Sequence, residues 1–225
     1  MKTASTHMLK KNVKTAKKRS QASTIWLQRQ LNDPYVAMAK QNGYRARSAF
    51  KLIELDDKFH FFKRGSRVVD LGAAPGGWTQ VAVEKVFSTP ENPIVVGLDL
   101  LEMAPLAGAK TTQLDFLDDK APDVLKEMLG GHKADVVLSD MAPNTTGMKE
   151  LDHLRIMGLL EAAYAFALEV LAKDGTFVAK IFQGGTEQSL LAQMKQRFKT
   201  VKHAKPPASR KESPEFYVVA SGFKG

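Results

Sequence analysis

A chain of 225 residues with 44% apolar content can bury one sizeable core, which favours one domain with appendages over two full domains. No apolar run reaches the roughly eighteen residues of a membrane helix, and the N-terminus lacks the apolar stretch of a secretory signal. The absence of cysteine removes disulfide scaffolds, thiolate metal sites and cysteine nucleophiles, while the net charge of +9 points to an anionic partner.

That charge is divided unevenly along the chain. Residues 1–47 hold 11 Lys/Arg against one acid, a local +10; residues 48–194 hold 14 against 21, a local −7; residues 195–225 hold 8 against 2, a local +6. Two basic ends around an acidic middle suggest a polyanion gripped by the ends, nucleic acid being the commonest, against the plainer reading of a solvated tail. Residues 1–23 form a basic arm carrying Lys10, Lys11, Lys14, Lys17, Lys18 and Arg19 with almost nothing apolar, and are expected to be mobile. Their acid-free, Ser/Thr-containing character also resembles an organellar transit peptide, although such peptides favour Arg over Lys.

Order is expected from near Thr24, with 24–225 as a single domain. Asp33-Pro34 reads as a helix start, the acid as N-cap and proline at the first position, with Gly43 as the stop. Ser48 is expected to cap a second helix presenting Phe50, Ile53 and Phe59. From Arg67 the pattern changes. Short apolar runs at 68–71, 94–98, 136–138 and 177–179 alternate with helical stretches near 77–87, 122–129, 153–172 and 187–198, and residues 216–220 make one more strand. Such continuous runs fit a buried parallel sheet with helices on both faces, an α/β architecture.

The first strand leads into Asp70-Leu71-Gly72-Ala73-Ala74-Pro75-Gly76-Gly77-Trp78 and a helix, a turn that lets a ligand approach the backbone at the C-terminal edge of a parallel sheet. Pro75 stiffens the loop, and Asp70 favours a cation over a phosphate. The second strand ends in Asp99, placed to accept from ribose hydroxyls, as in both nicotinamide enzymes and methyltransferases using S-adenosylmethionine. Asp115 follows the next short strand, where adenine recognition would fall. Singly, each feature is also what a tight turn or a solvated strand end shows; in series they favour a nucleoside ligand.

Five segments carry a resemblance. Arg47–Leu52, Val69–Trp78, Ser139–Asn144, Val178–Gly184 and Lys205–Tyr217, in this order, resemble the FtsJ/RrmJ-type ribosomal RNA large-subunit ribose 2′-O-methyltransferases over residues 24–223. The resemblance implies a Rossmann-like, mostly parallel seven-stranded sheet with an antiparallel last strand, S-adenosylmethionine as methyl donor, and a catalytic tetrad on Lys51, Asp140, Lys180 and Glu215. Methyl-donor contacts fall on Gly76, Trp78, Asp99, Asp115 and Asp140. Glu215 is preferred to Glu212 because Glu215-Phe216-Tyr217 matches the family's Glu-x-Tyr pattern; Pro214 stands where a basic residue is expected. The implied substrate is a uridine of the peptidyl-transferase A-loop in the assembled large subunit, bound by a monomer without membrane association or metal. The location is then the bacterial cytoplasm, with the mitochondrial matrix as the alternative. A relative acting on tRNA or an mRNA cap, or a non-catalytic RNA-binding relative, are the competing readings.

Methyl transfer to a ribose hydroxyl needs alignment of nucleophile and methyl carbon, and removal of a proton from a poor acid. Lys180, interrupting the apolar run Phe177–Phe182, is the candidate base; as an ammonium it would instead position the hydroxyl and steady developing charge. Arg29, Lys40, Arg45, Arg47, Lys205, Arg210 and Lys211 are the expected RNA contacts, since A-form RNA is gripped mainly by phosphate and 2′-hydroxyl contacts.

Overall fold

The computed structural model of the chain describes residues 12, 15, 20–143, 147–182 and 188–225. The arm residues Lys10, Lys11, Lys14, Lys17, Lys18 and Arg19 lie outside the described residues, as do Asn144, Gln183 and Gly184.

Among the described residues, three helices precede the sheet. α1 (Gln21–Leu31) is a helix where the sequence reading expects only the onset of order near Thr24; the Ser20 hydroxyl accepts from Ser23 N at 3.2 Å and caps it. α2 (Pro34–Gln41) starts as the sequence predicts, with Asp33 accepting from Tyr35 N at 3.0 Å. α3 (Ala49–Phe59) departs from expectation. Ser48 is already in helical conformation and makes no capping bond; the buried face is Ala49, Leu52 and Leu55, while Phe50, Ile53 and Phe59 are half-buried.

The sheet holds seven strands in the order β3-β2-β1-β4-β5-β7-β6. Its strands are β1 (Val68–Leu71), β2 (Val95–Asp99), β3 (Ala109–Gln113), β4 (Ala134–Ser139), β5 (Leu171–Phe182), β6 (Phe198–Ala204) and β7 (Glu215–Phe223). β1 to β5 are parallel, and β7 inserts antiparallel between β5 and β6. Around the sheet stand α4 (Gly77–Val86), α5 (Ala121–Met128), α6 (Lys149–Val170) and α7 (Gln188–Arg197).

Alternation of side chains along doubly covered strands splits the core in two. Val69, Leu71, Val96, Leu98, Val137 and Phe177 pack with Leu125, Leu160 and Met194 of α5, α6 and α7 on one face. Val68, Val95, Val136, Val178 and Val219 pack with Leu52, Leu55, Trp78 and Val81 of α3 and α4 on the other. Two strands depart from the sequence pattern. β6 buries Phe198 and Ala204 at its ends, half-buries Val201 and exposes Lys199, Thr200, Lys202 and His203 at the sheet edge, and β5 starts at Leu171, inside the stretch expected to be helical. Its pairing with β4 skips from Leu171 to Thr176, leaving a bulge whose Gly175 packs so closely that a Cβ would lie 2.8 Å from the Ala172 carbonyl.

Candidate active site

Parallel strands ending together place the chain's polar strand ends along one edge. Asp99 closes β2, Asp140 directly follows β4, and Lys180 lies two residues before the end of β5. The antiparallel register sets Lys180 opposite Tyr217 and Phe182 opposite Glu215, which delivers the start of β7 to the same edge. The four predicted tetrad residues are thereby brought into one cluster.

Its geometry is a chain of alternating charge. Lys51 Nζ lies 2.6 Å from Glu215 Oε1, and Lys180 Nζ lies 3.2 Å from Asp140 Oδ1 while donating to the Asp140 carbonyl at 2.6 Å. Tyr217 joins the two pairs: its hydroxyl donates to Asp140 Oδ1 at 2.9 Å and accepts from Lys51 Nζ at 3.4 Å. Burial pushes the Tyr217 phenol well above its ordinary pKa, with the Asp140 and Glu215 carboxylates adding to the effect, so it remains a hydrogen donor. Its ring packs 5.6 Å from that of Trp78, whose indole donates to the Ser48 carbonyl at 2.9 Å. Tyr217 belongs to the Glu-x-Tyr motif, but nothing in the sequence signals that the strand register would make it the bridge.

Beside this cluster opens a cavity of about 790 Å³, lined by Gly72, Asp99, Leu101, Asp115, Met141 and Arg155 among others, with Asp140 shared between cavity and cluster. Asp99 is held by the turn itself, Oδ2 accepting from Ala74 N at 2.9 Å and Oδ1 from Leu101 N at 2.8 Å. Asp115 accepts from Leu117 N at 3.0 Å. Gly76 and Trp78 do not line the cavity. Gly76 caps α4 at a φ of 109°, and a Cβ there would meet Arg45 Nη1 at 2.9 Å; Trp78 is buried in the core. Gly72, absent from the predicted donor contacts, does line it, and a Cβ there would lie 3.0 Å from Met141 N.

Asp70 has a different place from that expected of a strand-end carboxylate facing a ligand. It is fully buried, Thr79 donates to its Oδ2 at 2.7 Å, and Oδ1 has no hydrogen-bond partner among the described residues. Burial pushes its carboxyl up to about 7, against the lowering effect of the Thr79 hydroxyl.

The predicted RNA contacts divide into two groups. Arg45 donates to the Ala104 and Pro105 carbonyls at 2.7 Å each, bracing the loop after β2. Arg47 and Arg210 both pair with Asp33, at 2.9 and 3.2 Å, and Lys205 donates to the Lys211 and Ser213 carbonyls at 3.0 and 2.6 Å. Arg29, Lys40 and Lys211 are exposed.

Comparison with known proteins sets this geometry in a family. Residues 44–223 match the family model described as FtsJ-like methyltransferase. The ribosomal RNA large subunit methyltransferase E of Paramagnetospirillum magneticum is 66% identical over 215 residues, covering 95% of this chain and 88% of the relative. Its counterpart in Parvibaculum lavamentivorans is 59% identical, covering 99% and 90%. A solved ribosomal RNA methyltransferase from Plasmodium falciparum superposes with a TM-score of 0.70 at 32% identity, covering 81% of this chain and 100% of that one. With the match spanning the sheet, the cavity and the whole charged cluster, the chain belongs to the FtsJ-like methyltransferase family.

Proposed function

We propose that the protein transfers a methyl group from S-adenosylmethionine to a ribose 2′-hydroxyl of large-subunit ribosomal RNA, acting as a cytoplasmic monomer on a uridine of the peptidyl-transferase A-loop in the assembled subunit. The observation that carries the chemistry is the Lys51–Glu215 and Asp140–Lys180 pairs, joined by Tyr217 at the edge of a carboxylate-lined cavity. The relatives' names and the basic ends of the chain support the RNA substrate.

The cavity residues fit a cationic nucleoside. Three carboxylates, Asp99, Asp115 and Asp140, line it, beside Gly72, which lets Met141 pack against the turn. When bound, S-adenosylmethionine supplies a methyl carbon already activated by its sulfonium. Asp99 and Asp115 would hold the nucleoside hydroxyls and base, and Asp140 the side nearest the tetrad. Gly76 and Trp78 support the donor site through the loop, by fixing the start of α4.

Lys180 is the group for the hydroxyl proton. As an amine, its two N–H groups serve the Asp140 oxygens and leave a lone pair for the 2′-hydroxyl proton. As an ammonium, its third N–H would instead hold the hydroxyl oxygen while the proton leaves later. A base makes single-turnover rate rise with pH to a plateau; late proton loss leaves it flat.

The deciding experiment incubates the protein and labelled S-adenosylmethionine with assembled large subunits, free ribosomal RNA and tRNA, and maps alkali-resistant linkages. Label at one uridine of the assembled subunit is the expected outcome. Label confined to tRNA would replace the substrate assignment, and absence of label from every RNA would defeat the enzymatic reading.

A further inference from the structure

Glu215 opens β7 directly after a loop, residues 205–214, and a carboxylate on a long side chain needs more than one partner to stay in a single orientation. Its Oε1 has two: the Lys51 ammonium at 2.6 Å and the Ser209 hydroxyl, donating at 2.8 Å. Ser209 is 5% exposed, so little water is available to replace it.

The residue before Ser209 is clamped from both sides. Ala208 N donates to Glu54 Oε2 at 2.6 Å, and Arg47 Nη2 donates to the Ala208 carbonyl at 2.6 Å. Glu54 is itself fixed, because its other oxygen accepts from the Tyr35 hydroxyl at 3.0 Å. Glu54 and Lys51 are three residues apart on α3, neighbours on one helical face. One rigid helix therefore delivers Lys51 and also holds the loop that delivers the hydroxyl donor to Lys51's partner.

We propose that Ser209 is a positioning residue for methyl transfer, seating the Glu215 carboxylate on Lys51, and that Glu54 and Arg47 hold it in place through the Ala208 peptide. This rests on the reading of Lys51, Asp140, Lys180 and Glu215 as the catalytic tetrad. Neither Ser209 nor Glu54 touches the cavity; both act through Glu215.

The test measures single-turnover rate, KM for S-adenosylmethionine and thermal midpoint for the full-length protein acting on large subunits. Ser209→Ala removes one hydrogen bond to a charged group and is expected to lower the rate about tenfold with donor KM unchanged, and to lower the midpoint by a few degrees because the lost bond is buried. Ser209→Thr, which retains the hydroxyl, recovers most of the rate. Glu54→Gln, left with a single acceptor for two donors, shows a smaller loss and keeps the proposal testable if Ser209→Ala does not fold. Introduced into Glu215→Ala, neither substitution lowers the rate further, because residues acting through one group are not additive. An undiminished rate in Ser209→Ala, or an equal loss with and without Glu215, overturns the positioning role. Lys180→Ala separates the two levels: its near-normal turnover would sink the tetrad reading itself, whereas an inactive Lys180→Ala beside a fully active Ser209→Ala sinks only the role of Ser209.

Discussion

The cavity edge and the seam between the N-terminal helices and the 205–214 loop are both built from charged residues, and they use them in opposite ways. At the cavity, Asp99 and Asp115 take hydrogen bonds from their own loops yet still line an open space of about 790 Å³. At the seam, Asp33 collects Arg47 and Arg210 with only 7% of its side chain exposed, and Lys205 is spent on two carbonyls. The first region keeps charge available to a ligand; the second consumes it as structure. Charge in a sequence thus marks where electrostatics matter without saying whether the partner is foreign or internal.

The largest effect that would break this comparison is at the cavity edge. Lys180→Ala should lower methyl transfer by at least about 10²-fold while leaving S-adenosylmethionine binding nearly intact, since general-base help amounts to roughly 10²–10⁴-fold. Asp140→Ala should weaken both, because Asp140 belongs to both cavity and cluster. Calorimetric donor titration beside a turnover assay separates the two variants, and wild-type donor affinity in Asp140→Ala would remove that residue from the donor site.

Asp70 sharpens the contrast from within the core. Its folded carboxyl sits at about 7 against an ordinary value near 3.8, so the folded state holds the proton more tightly than the unfolded chain. The stability associated with the protonated acid is complete below about pH 4 and is lost as pH rises through 7. Asn cannot ionise and still offers an oxygen to Thr79. The stability of Asp70→Asn relative to the parent should therefore grow by about 3 kcal/mol between pH 5 and pH 8. Denaturant melts at the two pH values check this, and a constant difference would place the Asp70 titration near its ordinary value.

Asp33→Ala probes the seam directly. Removing it takes the carboxylate from two guanidinium groups and the cap from α2, for a loss of about 2–3 kcal/mol, below the range for fully buried pairs because Arg47 keeps the Ala208 carbonyl and Arg210 remains a quarter exposed. A thermal midpoint equal to that of the parent would show the seam to be solvated and its arginines available.

How far these regions were legible in the sequence follows the same division. The Gly-rich turn and the strand end Asp99 were readable from local motif and position along a strand, and Lys180 from its interruption of an apolar run, whereas Lys51 and Asp140 were legible only through the family resemblance of the segments that carry them. Tyr217 as a bridge was not legible, since it depends on where β7 inserts beside β5, a contact between distant segments; Ser209 as a donor to Glu215, six residues away, was not because it depends on the path of the 205–214 loop, which has no periodic pattern to read. β6 escaped because an edge strand whose Lys199, Thr200, Lys202 and His203 are all exposed has a weak apolar signal, and the cap by Ser20 lay in a stretch dominated by lysine. Arg47 and Arg210 could be counted but not assigned, because their shared partner Asp33 lies far away in sequence from Arg210.

The smallest expected effect concerns the basic residues left over. Arg29, Lys40 and Lys211 remain exposed after Arg45, Arg47, Lys205 and Arg210 have found internal partners. Ionic binding to RNA releases counterions, so removing one cation that sits on a phosphate should lower the slope of log affinity against log salt by about one and weaken binding uniformly across sequences. Lys40→Ala, Arg29→Ala and Lys211→Ala should each do this by a few-fold with no change in thermal midpoint. Arg45→Ala should do the reverse, lowering the midpoint by freeing the loop after β2 while leaving the salt slope alone. Filter binding to large-subunit RNA over a range of salt concentrations, paired with melting curves, reads both. An unchanged slope in the three exposed variants, with a changed one in Arg45→Ala, would mean that the braced arginine opens to meet RNA and that the loop after β2 belongs to the grip.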